Sequence, residues 1–259
     1  MKWYDNFIGS SESNQTFLFY EYDSQELFNA NLNKMPKDWY YRNNTITYEL
    51  NELGHRSPNV NNLDFNNYIL FCGDSHTFGI GLELEKTYPY LTAKQLQTSY
   101  YNIGLGGTGV DAMYYNFNTW VHTYKKPKLA VFYWSDFDRF LYYHNDELIP
   151  YLVSKNIEDC NRFVYYGDII GYFNTRAQFF YKNIELISSF HNIPTIHISF
   201  MQPIKEVPYT TVEREPNDDA RDLRHAGIQT HQSITDCVVS EYTTKYSNAT
   251  VHPITRGQN

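Results

Sequence analysis

Two patterns of hydrophobic positions alternate along this chain. Residues 68–72, Tyr-Ile-Leu-Phe-Cys, form a short unbroken apolar run that stops at Gly73. A run of that length with no polar face is the pattern of a strand buried on both sides. Further strands fit residues 100–103, 129–134 and 195–200. Between them the apolar residues recur at helical spacing. Thr87 can cap a helix that has Pro89 in its first turn and runs on through Leu91, Ala93 and Leu96. Other helices fit residues 110 to about 124, about 175 to 190, and about 227 to 246. Strand and helix therefore alternate, which predicts a parallel sheet covered by helices on both faces, a flavodoxin-like three-layer α/β/α sandwich.

Residues 1–66 break that rhythm. They are rich in aromatics and Asn, weakly periodic, and interrupted by turn signals such as Pro36-Lys37-Asp38 and Ser57-Pro58. The expected organisation is an N-terminal extension over 1–66 packed on one domain over 67–259. The stretch from about 139 to 174 is long for a plain strand-to-helix connection and holds many aromatics, so a cap insertion is expected there.

Charge and cysteine content narrow the function. The 21 Lys and Arg against 29 Asp and Glu give a formal net charge of -8, with no basic run that could track a phosphate backbone. Nucleic acid is therefore not an expected partner. Cys72, Cys160 and Cys237 show no paired spacing, so neither a disulfide framework nor a zinc site is expected, and Cys72 reads as a buried inert thiol. No cofactor and no metal are expected. The N-terminus lacks the apolar region of a signal peptide and no window approaches 18 uninterrupted apolar residues, which predicts a cytoplasmic chain without a membrane span. The 25 Tyr and 17 Phe fit aromatic platforms for sugars and fit AT-rich coding bias equally well. The oligomeric state is left open.

In open parallel sheets the reactive groups gather beyond the carboxyl ends of the strands. After the first strand comes Gly73-Asp74-Ser75-His76-Thr77-Phe78-Gly79, where a tight turn can raise Ser75 above the sheet edge. Alone, this is equally an ordinary capped turn. After the second strand comes Asn102-Ile103-Gly104-Leu105-Gly106-Gly107, whose glycines let backbone N–H groups approach a ligand, making Gly107 a candidate oxyanion donor. Near the C-terminus, Asp222-Leu223-Arg224-His225-Ala226-Gly227 sets an acid and an imidazole three residues apart, a spacing that one helical turn can close. An Asp bonded to one ring nitrogen fixes the tautomer and leaves the other nitrogen to take a serine proton.

With these blocks in this order, the chain resembles the SGNH/GDSL hydrolases from about Gly54 to about Tyr246. The resemblance implies the α/β fold of that family, Ser75 as nucleophile and Asp222 and His225 as its acid and base partners. It also implies an oxyanion hole from the backbone of Ser75 and from Gly107. Thr87-Tyr88-Pro89-Tyr90-Leu91 and Gly54-His55-Arg56 are supporting matches. The third block departs from the pattern. Where the family has Gly-x-Asn-Asp, this chain reads Trp134-Ser135-Asp136-Phe137, with Asp136 at the position of the Asn donor. An ionised carboxylate cannot donate a hydrogen bond and would repel an oxyanion, so the hole keeps two backbone donors or draws on Ser135 or a protonated Asp136.

Plainer readings apply to several other residues. His76 reads as structural or substrate-facing, Asp74 as a ligand of turn backbone, and His191 and His197 as packed or solvated. His231 falls off the face of His225 and does not suggest a metal pair. Arg139 and Tyr142-Tyr143-His144 could line a cleft or merely face an insertion. The expected activity is hydrolysis of a short acyl ester, O-acetyl first, on a small molecule or glycan. The rivals are a catalytically weak carbohydrate-binding protein of the same fold and an acyltransferase.

Overall fold

Alternate residues of the first core strand face opposite layers of helix, and that alternation builds the molecule. The structure, a computed structural model, describes residues 1–134, 136–145, 147–152, 169–200 and 206–246. In chain order, β1 (Lys2–Tyr4) and β2 (Phe7–Gly9) form an antiparallel hairpin. β3 (Thr16–Phe17) pairs antiparallel with β4 (Tyr48–Glu49), and α1 (Gln25–Lys34) lies between them in sequence. The core then runs β5 (Tyr68–Cys72), α2 (Ser75–Phe78), α3 (Tyr88–Gln95), β6 (Ser99–Asn102), α4 (Val110–Thr123) and β7 (Leu129–Tyr133). It continues through the hairpin β8 (Arg139–His144) and β9 (Glu147–Leu152), then α5 (Ile169–His191), β10 (Thr195–Ser199), β11 (Thr210–Thr211) and α6 (Ile228–Tyr246).

The main sheet has five parallel strands in the order β6-β5-β7-β10-β11. Numbered along the chain this is 2-1-3-4-5, the flavodoxin-like order, whose switch point lies between β5 and β7. Tyr68, Leu70 and Cys72 of β5 and Ala130 and Phe132 of β7 pack with Met113, Phe117 and Trp120 of α4 and with Ala177 and Ile184 of α5. The residues between them, Ile69, Phe71, Leu129, Val131 and Tyr133, pack on the other side with Tyr88 and Ala93 of α3 and Ile234 and Val238 of α6. This is the three-layer α/β arrangement expected from the strand and helix rhythm. The fifth strand was not expected, since two threonines carry no apolar run. Helix α5 starts at Ile169, before the expected position.

The N-terminal segment contributes its own core. Tyr20, Trp39, Tyr41, Ile46, Tyr48 and Leu50 cluster with Phe78, Ile80, Leu82 and Ala220 of the α/β unit. Buried Arg56 donates to the backbone oxygens of Gly79 at 2.6 Å and Leu82 at 2.8 Å, and buried His55 bridges Tyr101 and the oxygen of Ile8. The segment is therefore bonded to the loops that carry the site. Of the expected cap, residues 139–145 and 147–152 form the β8–β9 hairpin, while residues 153–168, with Cys160, lie outside the described residues.

Candidate active site

Ser75 begins α2 directly beyond the carboxyl end of β5, at the switch point of the sheet. Asp74 caps this single turn, its Oδ1 accepting the His76 N–H at 3.0 Å, as its reading from sequence had it. Gly79 ends the turn in the left-handed region at φ 84°. The result is an almost buried serine hydroxyl, with the residue only 4% exposed, held above the sheet.

Asp222 and His225 meet, but not through a turn of helix. They sit in a tight turn before α6, and Leu223 between them has a left-handed backbone at φ 56°. Such a conformation is strained for a branched residue and survives only where its surroundings hold it. Asp222 Oδ1 holds the turn by accepting the N–H groups of Arg224 and His225, both at 3.1 Å. Its Oδ2 lies 2.6 Å from His225 Nδ1, and His225 Nε2 lies 2.9 Å from Ser75 Oγ. Burial pushes the Asp222 carboxyl up, but the His225 hydrogen bond, the charge of that ring and the two N–H groups outweigh it and hold it below its ordinary value. The carboxylate can only accept, so Nδ1 carries the hydrogen and Nε2 is left to face the serine hydroxyl.

The turn is fixed from outside by the N-terminal segment. Buried Arg221 donates three hydrogen bonds to the buried Asp23 carboxylate, at 2.7, 2.9 and 3.1 Å. Asn31 of α1 donates to the Arg221 carbonyl at 3.1 Å, and the Arg221 N–H reaches the Gly81 carbonyl at 3.0 Å. Gly81, at φ 77°, allows this approach, because a Cβ there would stand 2.7 Å from Ala220 Cβ.

The glycine loop after β6 stands beside the serine turn. Asn102 Nδ2 donates to the Thr77 carbonyl at 2.7 Å and Oδ1 accepts the Gly104 N–H at 2.8 Å, which ties the loop to α2. Gly107 lies at φ 71° on the rim of a cleft that opens toward the N-terminal segment. Asp136 is tied elsewhere. Its Oδ2 lies 2.6 Å from Arg139 Nη2, and Arg139 Nη1 lies 3.1 Å from Asp74 Oδ2, so one guanidinium joins the two carboxylates. The Asp74 side chain is buried and that of Asp136 is half exposed. Burial raises the Asp74 carboxyl above its ordinary value against the opposing charge of Arg139. Ser135 lies outside the described residues.

No family model matches the chain. No curated protein matches it in sequence. Solved structures similar to it include an acetyl xylan esterase, Est2A, from the rumen bacterium Butyrivibrio proteoclasticus, at 14% identity and a TM-score of 0.44, covering 72% of this chain and 65% of that one. A family two carbohydrate esterase from Clostridium thermocellum, in complex with cellohexaose, is similar at 16% identity and a TM-score of 0.45, covering 69% of this chain and 64% of that one. A member of the lipolytic protein G-D-S-L family from Veillonella parvula DSM 2008 is similar at 11% identity and a TM-score of 0.37, covering 70% of this chain and 98% of that one. The match thus spans less than two thirds of the length of each of the two carbohydrate esterases. These are likenesses of fold.

Three further histidines, His76, His231 and His197, have structural partners. The ring of His76 packs between those of Tyr133, Phe200 and His225, at centroid distances of 5.4, 5.1 and 5.3 Å. Burial and the charge of His225 pull its pKa well down, so the ring stays neutral. His231 Nδ1 accepts the Tyr88 N–H at 2.9 Å, joining α6 to α3, and burial lowers its pKa to about 3. His197 lies between Trp134 Nε1 at 2.9 Å and Glu185 Oε1 at 3.0 Å. Among the described residues no group of three or more His, Cys, Asp and Glu could hold a metal ion. No helix there is long and apolar enough to cross a membrane.

Sequence reasoning missed Asp23, Arg221 and the bridging role of Arg139. Each acts through a partner distant in sequence or through a backbone angle, and neither leaves a local pattern.

Proposed function

We propose that this chain is a serine esterase that cleaves a short acyl group, O-acetyl first, from a hydroxyl-bearing alcohol such as a carbohydrate. Ser75 is the nucleophile, His225 the base and Asp222 the group that orients and charge-balances the base. The observation that carries this reading is the hydrogen-bonded row from Asp222 Oδ2 through His225 to Ser75 Oγ, at 2.6 and 2.9 Å.

In the first half-reaction Ser75 Oγ forms a bond to the ester carbonyl carbon while its proton passes to His225 Nε2. The carbonyl π pair moves to oxygen, where the backbone N–H groups of Ser75 and Gly107 receive the negative charge. Collapse expels the alcohol, which takes the proton back from Nε2. Water then repeats the sequence on the acyl-enzyme and releases the acid. Asp136, engaged by Arg139, has no part in this hole. The ring of His76, itself packed on Tyr133 and Phe200, closes one side of His225, while the cleft beside Gly107 carries carboxylates and hydroxyls. That environment favours a small acyl group on a polar alcohol over a long acyl chain.

Covalent labelling tests the reading. A fluorophosphonate requires an activated serine, so it should add to the wild type at Ser75 and not to Ser75→Ala. The same variant should lose 4-nitrophenyl acetate hydrolysis by at least about a thousandfold while keeping its melting temperature. An unlabelled wild type, or a variant that still turns over, overturns the assignment and leaves the binding-protein rival.

A further inference from the structure

A cleft of about 450 Å³ opens beside Gly107, and its far wall is made by the N-terminal segment: Ser10, Ser11, Glu12, Tyr20, Glu21 and Tyr22. Glu21 is the residue of that wall nearest the glycine loop. Its carboxylate lies flat on the Cα of Gly106, where an added Cβ would stand 1.9 Å from Oε2 and 2.7 Å from Oε1. Any side chain at 106 would displace it. Glu21 also holds a left-handed backbone, at φ 53°, which aims a long side chain into the cleft at a conformational cost. Among the described residues no donor reaches this carboxylate. Its neighbour Glu12 is already engaged by the Ser10 hydroxyl, and the Ser10 hydroxyl by Tyr20.

We propose that Glu21 is the specificity-determining residue for the alcohol half of the ester, accepting hydrogen bonds from hydroxyl groups next to the one that carries the acyl group. The proposal rests on the esterase reading above. A bound ester with its carbonyl oxygen at Gly107 must project its alcohol away from the triad, and the cleft that shares Gly107 receives it. Two free carboxylate oxygens match two hydroxyl donors on adjacent carbons, and the half-exposed ring of Tyr22 offers an apolar face for the C–H side of a sugar. An alcohol without neighbouring hydroxyls gains nothing from the carboxylate, which keeps its water at the exposed rim, so the discrimination comes from hydrogen bonds made only with the hydroxylated alcohol.

Ionisation gives an independent signature. Burial against the glycine loop raises the Glu21 carboxyl to about 7, with His225 and the N-terminal amine lowering it and Glu12 raising it. Above that value both oxygens accept; below it one of them carries a proton.

The test compares two acetates that share an acyl group and differ in the alcohol: a monoacetylated methyl xyloside and 4-nitrophenyl acetate. For the wild type, the ratio of kcat/KM on the xyloside to that on the nitrophenyl ester should fall as pH drops through about 7. A change in the chemistry of the acyl half acts on both substrates and cancels in this ratio. Glu21→Gln should lower kcat/KM on the xyloside at least about tenfold, leave the nitrophenyl ester within about twofold, and flatten the ratio against pH. Glu21→Gly, which suits the left-handed backbone, should do the same without loss of folding. Equal effects on both esters, or none, overturn the proposal and leave the esterase reading standing. A wild type that hydrolyses neither ester overturns both.

Discussion

Asp23 and Arg221 are 198 residues apart in the chain and form a buried pair in which one guanidinium gives three hydrogen bonds to one carboxylate. Arg221 directly precedes Asp222, so the pair fixes the turn that carries Asp222, the left-handed Leu223 and His225, the acid and base of the proposed triad. The N-terminal segment thereby holds the geometry of the proposed triad through its own carboxylate. Removing it would strand a buried guanidinium.

Asp23→Ala should therefore cost about 3–5 kcal/mol of unfolding free energy, the usual penalty for leaving one member of a buried pair alone. Denaturant unfolding measures it. A loss within about 0.5 kcal/mol would mean that water replaces the carboxylate at no cost.

Asp222→Ala and His225→Ala should be strongly non-additive in kcat, because both Asp222 oxygens act by placing and charge-balancing the same ring. The double variant should be about as slow as His225→Ala alone. Losses that add on the logarithmic scale would assign the two residues to separate tasks.

Asp136 and Arg139 separate two placements of one charge. With Asp136 half exposed and bonded to Arg139, Asp136→Asn should change kcat by no more than about twofold and stability by no more than about 1 kcal/mol. Arg139→Met is the severe change, since it leaves the buried Asp74 carboxylate without its cation. It should cost about 1–3 kcal/mol and lower kcat through the Asp74 cap of the serine turn. A rise of about tenfold in kcat for Asp136→Asn would instead put that carboxylate against the oxyanion.

Acid should destabilise the fold before carboxylates of ordinary pKa protonate. Burial holds His55 at about 4 and His231 at about 3, both below the ordinary histidine value of 6.5. The unfolded chain then binds protons that the folded one refuses. Their contribution is complete above pH 6.5 and declines as pH falls toward the folded values, by up to about 1.4 kcal/mol per pH unit for each ring. Glu21 has the opposite sign between 4.5 and about 7, but it stands at the solvent rim and is screened. His231→Asn, which keeps an acceptor for the Tyr88 N–H, should flatten stability against pH between 6 and 4.5 by about a third, since His55 and the equally buried His76 carry the rest. An unchanged slope in thermal melts would remove His231 as a cause.

The parts of the fold that were legible in the sequence are those where burial writes itself locally. Residues 68–72 are apolar at every position because helices cover both faces of β5, and the same holds for β7. β11 was not legible, since Thr210 and Thr211 pair through backbone alone at the sheet edge. Of the candidate site, the residue types and their order were legible, and the distances between Ser75, His225 and Asp222 suit the triad expected of them. The support was not. The spacing of Asp222 and His225 suggests a helical turn, whereas the chain uses a left-handed Leu223. Nothing near Asp136 in sequence tells that Arg139 would be shared with Asp74.

The Asp23–Arg221 pair also sets when the site can exist. During synthesis Asp23 leaves the ribosome early and its partner follows 198 residues later, a wait of about 10–40 s at usual elongation rates. Through that interval the carboxylate stays hydrated and the serine turn has neither its proposed acid nor its proposed base. A nascent chain stalled before Arg221 should be inert toward a fluorophosphonate, because the proposed base, His225, has not yet been added.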